Sequence, residues 1–394
     1  MKTAAIAGPY PWPATDGYAL RLAHMIAGLA QLGEVDFFCA QQPPPLDDPP
    51  PGVNASMTDV IGVPRSKRIR RWLTTPEPRI MLGWDYDGLR QTIEQHGTGE
   101  YDLVYYSYMN NWWFFRDLFD QPAICDVELE HLKTRAVRKM RPRGGAATWA
   151  KWGAEQLPLY VDERRFDRMQ QECAHDVDAV TLCSELDVSR SGMSNAVAIS
   201  NGYELEWEPR LDRADNVGDP PAFSFVGLQS YGPNADASRW MATEILPLVR
   251  RHVPDATFRI VGRRGETLTD LVDLPGVVIT GAIDDLHEEV DRADVAVVPI
   301  RFGSGTRLKV SEALANRIPV VTTTVGSEGI DVTDGTTALI ADDTESFAAA
   351  CVRALEDRDL RARLISAGAD LYDQRYRWSI IRDQIAALGE RVAG

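Results

Sequence analysis

Lys309 and Glu312 stand three residues apart in TRLKVSEALANR, and a glycine turn, FGSGT, lies just before them. On a helix that spacing puts both side chains on one face. The chemistry on offer is the binding of an anion and of hydroxyl groups. Gly303 and Gly305 let the backbone amides of Gly303, Ser304, Gly305 and Thr306 turn toward one anion. A helix starting near Thr306 adds free N–H groups and the positive end of its dipole, both of which favour phosphate. Lys309, with Arg307 in the first turn, can neutralise a diphosphate, and Glu312 can accept hydrogen bonds from a ribose. A Lys–Glu pair at this spacing is equally at home on a solvated face, and a lone glycine turn specifies nothing. The pattern gains meaning from the elements that must position it.

Those elements alternate. TAAIAG reads as a strand, YALRLAHMIAGLAQLG as a helix ending at glycine, and EVDFFCA as a second strand, which makes a βαβ unit and a parallel sheet. YDLVYYSY, PAICDVE, VDAVTLCS and AVAISNGYE continue the first half. Residues 206–221 carry charge, proline and glycine without periodicity and read as a linker. The rhythm then restarts with AFSFVG, ATFRIVG, VVITG and DVAVVPI, each followed by helical or turn sequence, and IPVVTTT follows the Lys309 segment. The prediction is α/β: an N-terminal domain over 1–208, a linker at 209–221, a C-terminal domain over 222–376 and a last helix over 377–394. A ligand is expected in a cleft between two such domains. Residues 41–64, rich in proline, read as a surface loop.

Bulk composition narrows the function classes. A chain of 394 residues suits two domains. The net charge of −16 argues against nucleic-acid binding through a general basic field. Five scattered cysteines without CxxC or Cys/His clustering argue against zinc and for a reducing compartment. MKTAAIAGPYPWP has too short an apolar run for a signal peptide, and no stretch has the length of a membrane span. A cytoplasmic protein is expected.

The string GSGTRLKVSEALANRIPVVTTTVGSEGI resembles the C-terminal signature of the GT4-type (group 1) retaining glycosyltransferases, which have the GT-B fold. FSFVG with YGPNADASRWMATEILPLV, ATFRIVG, VVITGAIDDLHEEVDRADVAVVPI and the RWSII tail are similar to that family in order and spacing. PYPWPATDGYALR resembles the glycine loop after its first strand, and ISNGYE its Asn-Gly turn before the linker. The resemblance implies two Rossmann-like domains facing a cleft, with the last helix returning to the first domain. It implies transfer of a sugar from a nucleoside-diphosphate sugar, UDP or GDP, to an acceptor hydroxyl, with retention and without a metal or other cofactor. Lys309 would then neutralise the diphosphate, helped by Arg307, Arg263 or Arg264, and Glu312 would hold the ribose. Gly281, Ala282 and Ile283 would lie beside the base, and Gly303–Thr306 would face the sugar and phosphates. Asp16 and Gly17 would approach from the first domain.

Three departures qualify that carry-over. Where the family has two glutamates eight apart, this chain has Ser304 and Glu312. Where many members have an arginine after the FVG strand, it has Leu228. Where many have a histidine at the end of the strand reading AICDVELEH, it has Glu128, with Glu130 and His131 close behind. His131 is expected either to reach the sugar or to be an ordinary exposed histidine. These losses keep two alternatives open: a catalytically degenerate GT-B partner protein, and a nucleotide-sugar epimerase of the same fold.

For the acceptor, two basic segments stand out. RSKRIRR (65–71), followed by Trp72 and Leu73, has five basic residues in seven, and residues 133–151 hold seven Lys/Arg and no acid. Trp149 and Trp152 lie in or next to the second segment. Basic residues interleaved with tryptophan suit a lipid-linked or anionic acceptor and peripheral contact, through 65–73 and 133–152, with the inner membrane surface. A solvated loop is the competing reading. MNNWWFFRDLF (109–119) is read as a helix packed on the sheet.

Overall fold

A computed structural model describes residues 1–14, 16–41, 47–139, 145–283, 286–303 and 305–394. The chain divides into two compact units, Met1–Ser200 with Ser379–Gly394, and Asn201–Trp378.

The first unit is built on strands β1 (Lys2–Pro9), β2 (Glu34–Gln41), β3 (Val53–Asp59), β4 (Leu103–Ser107), β5 (Ala123–Asp126), β6 (Ala179–Leu182) and β7 (Ala196–Ala198). Among the described residues they form one parallel sheet in the order β3-β2-β1-β4-β5-β6-β7. The central strands are apolar runs because helices cover both faces; every residue of β4 and β5 is buried. The covering helices used below are α1 (Gly17–Leu29), α2 (Arg65–Thr74), α3 (Met109–Phe115), α4 (Glu130–Lys139) and α5 (Ala146–Asp176). As the run of aromatics predicts, α3 packs on the sheet, with Trp112 and Phe115 buried.

The second unit carries β8 (Ala222–Val226), β9 (Thr257–Val261), β10 (Val277–Gly281), β11 (Val295–Val298), β12 (Val320–Thr322) and β13 (Leu339–Ile340). They form a parallel sheet in the order β10-β9-β8-β11-β12-β13. Helix α6 (Gly232–Trp240) follows β8 and α7 (Leu308–Ala315) follows β11. The last helix, α8 (Trp378–Ala393), returns the chain to the first unit. There it packs so closely on α1 that a Cβ on Gly28 would lie 2.3 Å from the Ile385 side chain.

Two expectations are corrected. Residues 41–64 are not a loop throughout: β3 pairs with β2 over seven residues. As an edge strand it takes its order from β2's backbone groups and not from a buried apolar face. The segment 206–221 is not a free tether either. Trp207 packs on the His287 ring at 5.0 Å, and Arg213, 2% exposed, donates to the carbonyls of Val290, Asp291 and Ala293. The division between units falls at Ser200/Asn201.

Candidate functional site

In the second unit the strand order reverses between β8 and β11, the place where open α/β sheets bind ligands beyond their C-terminal strand ends. Gly227 follows β8 and Gly262 follows β9. A Cβ on Gly262 would lie 2.3 Å from the Gly227 carbonyl oxygen, and one on Gly227 would lie 2.7 Å from Asn234 Nδ2. Gly262 must therefore be glycine, because backbone fills its Cβ position, while a side chain at Gly227 would displace the Asn234 amide. The strand ends lock backbone to backbone, with Gly227 N–H donating to Val261 O at 2.9 Å and Gly262 N–H to Gly281 O at 3.1 Å.

Lys309 reaches this point from α7. Its Nζ donates to Asn234 Oδ1 at 2.9 Å, and Asn234 Nδ2 donates to Leu228 O at 3.0 Å. The ammonium lies 4.7 Å from the centre of the Phe225 ring. A Cβ on Gly227 would be 3.4 Å from Nζ. The cation beside this strand end thus comes from a different element, while Leu228 itself is an exposed aliphatic side chain.

Lys309 and Glu312 line one small cavity together with Ser224 and Asn316, so the shared helix face is realised. Burial, then repulsion from Arg307, pushes the Lys309 ammonium down to about 8, against an upward pull from Glu312. Burial pushes the Glu312 carboxyl up to about 7, against a downward pull from Lys309. Its Oε1 is buried and has no hydrogen-bond partner among the described residues. Both groups therefore change charge close to neutral pH.

Arg307, 6% exposed, donates from Nε to Val325 O at 3.2 Å. Its guanidinium lies beside Gly303, where a Cβ would meet Nη2 at 3.3 Å. Gly303 and Gly305 have φ of 126° and 90°, a region open to glycine. Ser304, between them, lies outside the described residues. Thr306 packs under Gly329, and its Oγ1 is buried without a partner among the described residues. Helix α7 begins at Leu308, two residues later than expected.

Arg263 and Arg264 lie exposed on the turn after β9. The Arg263 carbonyl accepts from Gln229 N–H at 3.0 Å, and Arg264 pairs with Glu266 at 3.4 Å. Gly281, with φ 70°, ends β10; Ala282 is exposed and Ile283 half-buried.

The other expected residues belong to the first unit. Asp16 caps α1, its Oδ1 accepting from Ala19 N–H at 2.9 Å, and Gly17 is the exposed first residue of that helix. Glu128 forms an ion pair with Lys133, which also holds Glu130 at 3.1 Å. His131 is not exposed: it is 7% accessible, and its Nδ1 lies 2.5 Å from Gln170 Oε1 of α5. Gln170 Nε2 in turn donates to Glu128 O, so the histidine belongs to the α4–α5 packing.

Residues 220–357 match the family model Glycosyl transferases group 1. They are a group 1 glycosyltransferase domain. Over 213 residues the chain is 30% identical to the phosphatidyl-myo-inositol mannosyltransferase of Mycolicibacterium smegmatis, covering 51% of this chain and 53% of that protein. The chain thus matches about half the length of that curated relative, and 34% of an uncharacterised Klebsiella pneumoniae protein of a cps region at 26% identity over 32% of this chain. Among solved structures, sucrose-phosphate synthase from Thermosynechococcus elongatus superposes with a TM-score of 0.67 at 20% identity, covering 100% of this chain and 99% of that one. Anabaena HepE, solved with UDP-glucose, gives 0.60 at 14% identity over 99% and 100% of the two chains. At such identities the likeness shows the fold, which is the GT-B fold expected from the sequence.

Within the group 1 glycosyltransferase domain, two groups beside Lys309 carried no sequence signal. Asn234 lies 75 residues from Lys309 in sequence, and Phe225 reads only as a core residue. Arg301 clamps the loop after β11 to α6 through two hydrogen bonds to Asp236, at 2.9 and 3.0 Å. Outside the group 1 glycosyltransferase domain, three of the basic residues predicted to meet an anionic acceptor are held in ion pairs among the described residues. Lys133 holds Glu128 and Glu130, and Arg135 and Arg138 both hold Glu163. Residues 140–144 of that segment lie outside the described residues. Helix α2 has no buried residue, but Trp72 turns inward to donate to Asp162 at 2.8 Å. Among the described residues no helix is long and apolar enough to cross a membrane.

Proposed function

We propose that this protein transfers a glycosyl group from a nucleoside-diphosphate sugar to an acceptor hydroxyl, with retention of anomeric configuration. The observation that carries the reading is the Lys309–Asn234–Leu228 chain, which holds an ammonium beside the glycine turn at the end of β8. In this reading Lys309 and Arg307 neutralise the departing diphosphate, and the amides of Gly303, Ser304, Gly305 and Thr306 orient it. Glu312 accepts from the ribose, and Gly281–Ile283 flank the base. Arg263 and Arg264, exposed on the turn after β9, add positive charge toward the phosphates.

The bond from the anomeric carbon to the diphosphate oxygen breaks, its electron pair staying on the diphosphate. The acceptor oxygen bonds to the same carbon from the same face, and its proton passes to a phosphate oxygen. This route requires no carboxylate pair. HepE was solved with UDP-glucose, which makes UDP the first nucleotide to try.

The test is a thermal-shift screen of the full chain against UDP, GDP, ADP and dTDP, with NAD as control. A nucleotide that binds the native state must raise its unfolding temperature. A shift with one nucleoside diphosphate and none with NAD supports the reading. No shift with any of them, from folded protein, favours a catalytically degenerate partner.

A further inference from the structure

The first unit has a crevice at its own switch point. Its strand order reverses between β1 and β4, and a cavity of about 280 Å³ lies beyond the ends of these strands. Ligand pockets run from roughly 300 to 1,000 Å³, so this one suits a single ring.

Three features define what fits. The walls are aromatic: Tyr18, Tyr86, Tyr108 and Trp84 line the cavity. Tyr18 and Tyr108 lie 5.1 Å apart, and Tyr108 holds an uncommon backbone conformation, φ 72°. Second, Asn111 lines the cavity at 1% exposure. Its Nδ2 donates to Ser107 O, while its Oδ1 has no partner among the described residues. A buried acceptor in that state calls for a donor. Third, the lining includes Glu128 and Glu130 and, among the described residues, no lysine, arginine or histidine. The nearby cations are engaged: Lys133 with both glutamates, Arg21 with Asp126, and Arg79 with Asp162 and Glu155. A phosphate here would give up water and meet negative charge. A hydroxyl or an ammonium would find acceptors and aromatic faces.

We propose that this cavity seats the ring of the acceptor, and that the ring is polyhydroxylated and either neutral or amine-bearing, with no phosphate or carboxylate on it. The proposal rests on the glycosyl-transfer reading above and replaces the anionic acceptor expected from the basic segments. Burial pushes the Glu130 carboxyl up to about 7, so a seated ammonium would favour its ionised form and release its proton to solvent near neutral pH.

The test uses three probes that differ at one carbon: glucose, 6-amino-6-deoxyglucose and glucose 6-phosphate. Each is titrated calorimetrically into the full chain without nucleotide. The amino sugar should bind at least as tightly as glucose, and both at least tenfold more tightly than the phosphate. Glu130→Gln should remove the amine's advantage. Trp84→Ala, at an exposed position of the wall, should weaken both by several-fold without unfolding the protein. Tighter binding of glucose 6-phosphate overturns the proposal, as does binding of none of the three or binding unchanged in both variants. Because no nucleotide is present, these outcomes are independent of the thermal-shift screen: a failed screen with intact sugar binding removes the transfer reading and leaves the site.

Discussion

Replacing Lys309 by methionine should do two opposite things. Methionine keeps an unbranched stem against the Phe225 ring and removes the charge. In the folded protein the ammonium is pushed from 10.5 down to about 8, which costs the folded state about 3 kcal/mol at pH 7. The sign follows from proton counting: between those two values the folded protein binds fewer protons than the unfolded chain. The cost is therefore fully present below about pH 8 and fades as pH rises toward 10.5. Against this, the variant loses the bond to Asn234 and leaves Oδ1 of that buried side chain unpaired, which takes back about 1–2 kcal/mol. The net is a gain of about 1–2 kcal/mol, or about 2–8 °C in the unfolding temperature for a domain of this size. Nucleotide binding should move the other way. A charge-assisted contact to phosphate is worth about 1.5–3 kcal/mol, so affinity for the nucleoside diphosphate should fall roughly ten- to hundred-fold. Scanning fluorimetry of the free protein and calorimetric titration with nucleotide read the two effects separately. A variant that melts several degrees lower and binds nucleotide as well as the parent would mean that Lys309 is a structural residue.

Three further outcomes follow from the same geometry. Nucleotide affinity should rise through about pH 7 as Glu312 loses its proton and fall above about pH 8 as Lys309 loses its own; a flat profile from roughly pH 6 to 9.5 would remove both assignments, the two limbs belonging to the pair as a unit. Gly227→Ala puts a methyl group 2.7 Å from Asn234 Nδ2 and 3.4 Å from Lys309 Nζ; circular dichroism should stay native while affinity drops at least roughly tenfold, a displaced contact of about 1.4 kcal/mol, and unchanged affinity would move the donor site away from this strand end. Arg21→Met breaks the buried pair in which Nε and Nη2 meet Asp126 at 2.7 and 2.6 Å; the stranded carboxylate should cost about 3–5 kcal/mol, seen as earlier urea unfolding of the first unit with nucleotide affinity intact.

The central strands were legible because strands buried on both faces are continuous apolar runs. DVAVVPI contains β11, all four residues of which are buried. What failed was what depends on neighbours. The strand β3, VNASMTD, buries only Val53 and has no strongly apolar face, and β2 gives it its order. Helix α5 runs 31 residues through Pro158, with few buried positions in its N-terminal half, so neither its length nor its start shows as periodicity. In the site, the Lys309–Glu312 face could be read from spacing because one helix carries both. The Lys309–Asn234 contact could not, because the sheet topology brings together residues 75 apart. His131 was ambiguous for a similar reason: its burial depends on Gln170 of a helix whose register the sequence did not reveal.

The two units share one topology and differ in the charge at its switch point. At the end of β8 stand an ammonium and a row of glycines that can bring amides to an anion; beyond β1 and β4 stand tyrosines and carboxylates. The difference makes the two crevices non-interchangeable. A diphosphate in the first unit would face Glu128 and Glu130, and an amine in the second would face Lys309 and Arg307. On the readings proposed above, each crevice would therefore exclude the other's ligand by repulsion as well as by the lack of a partner, the more robust form of specificity because a wrong ligand must overcome both. On the proposed reading, the same logic accounts for Leu228 after β8 in a donor site. What a leaving diphosphate requires is positive charge at a fixed point in space, and a lysine on α7, steadied by an asparagine on α6, would supply it there as well as a residue on the strand end.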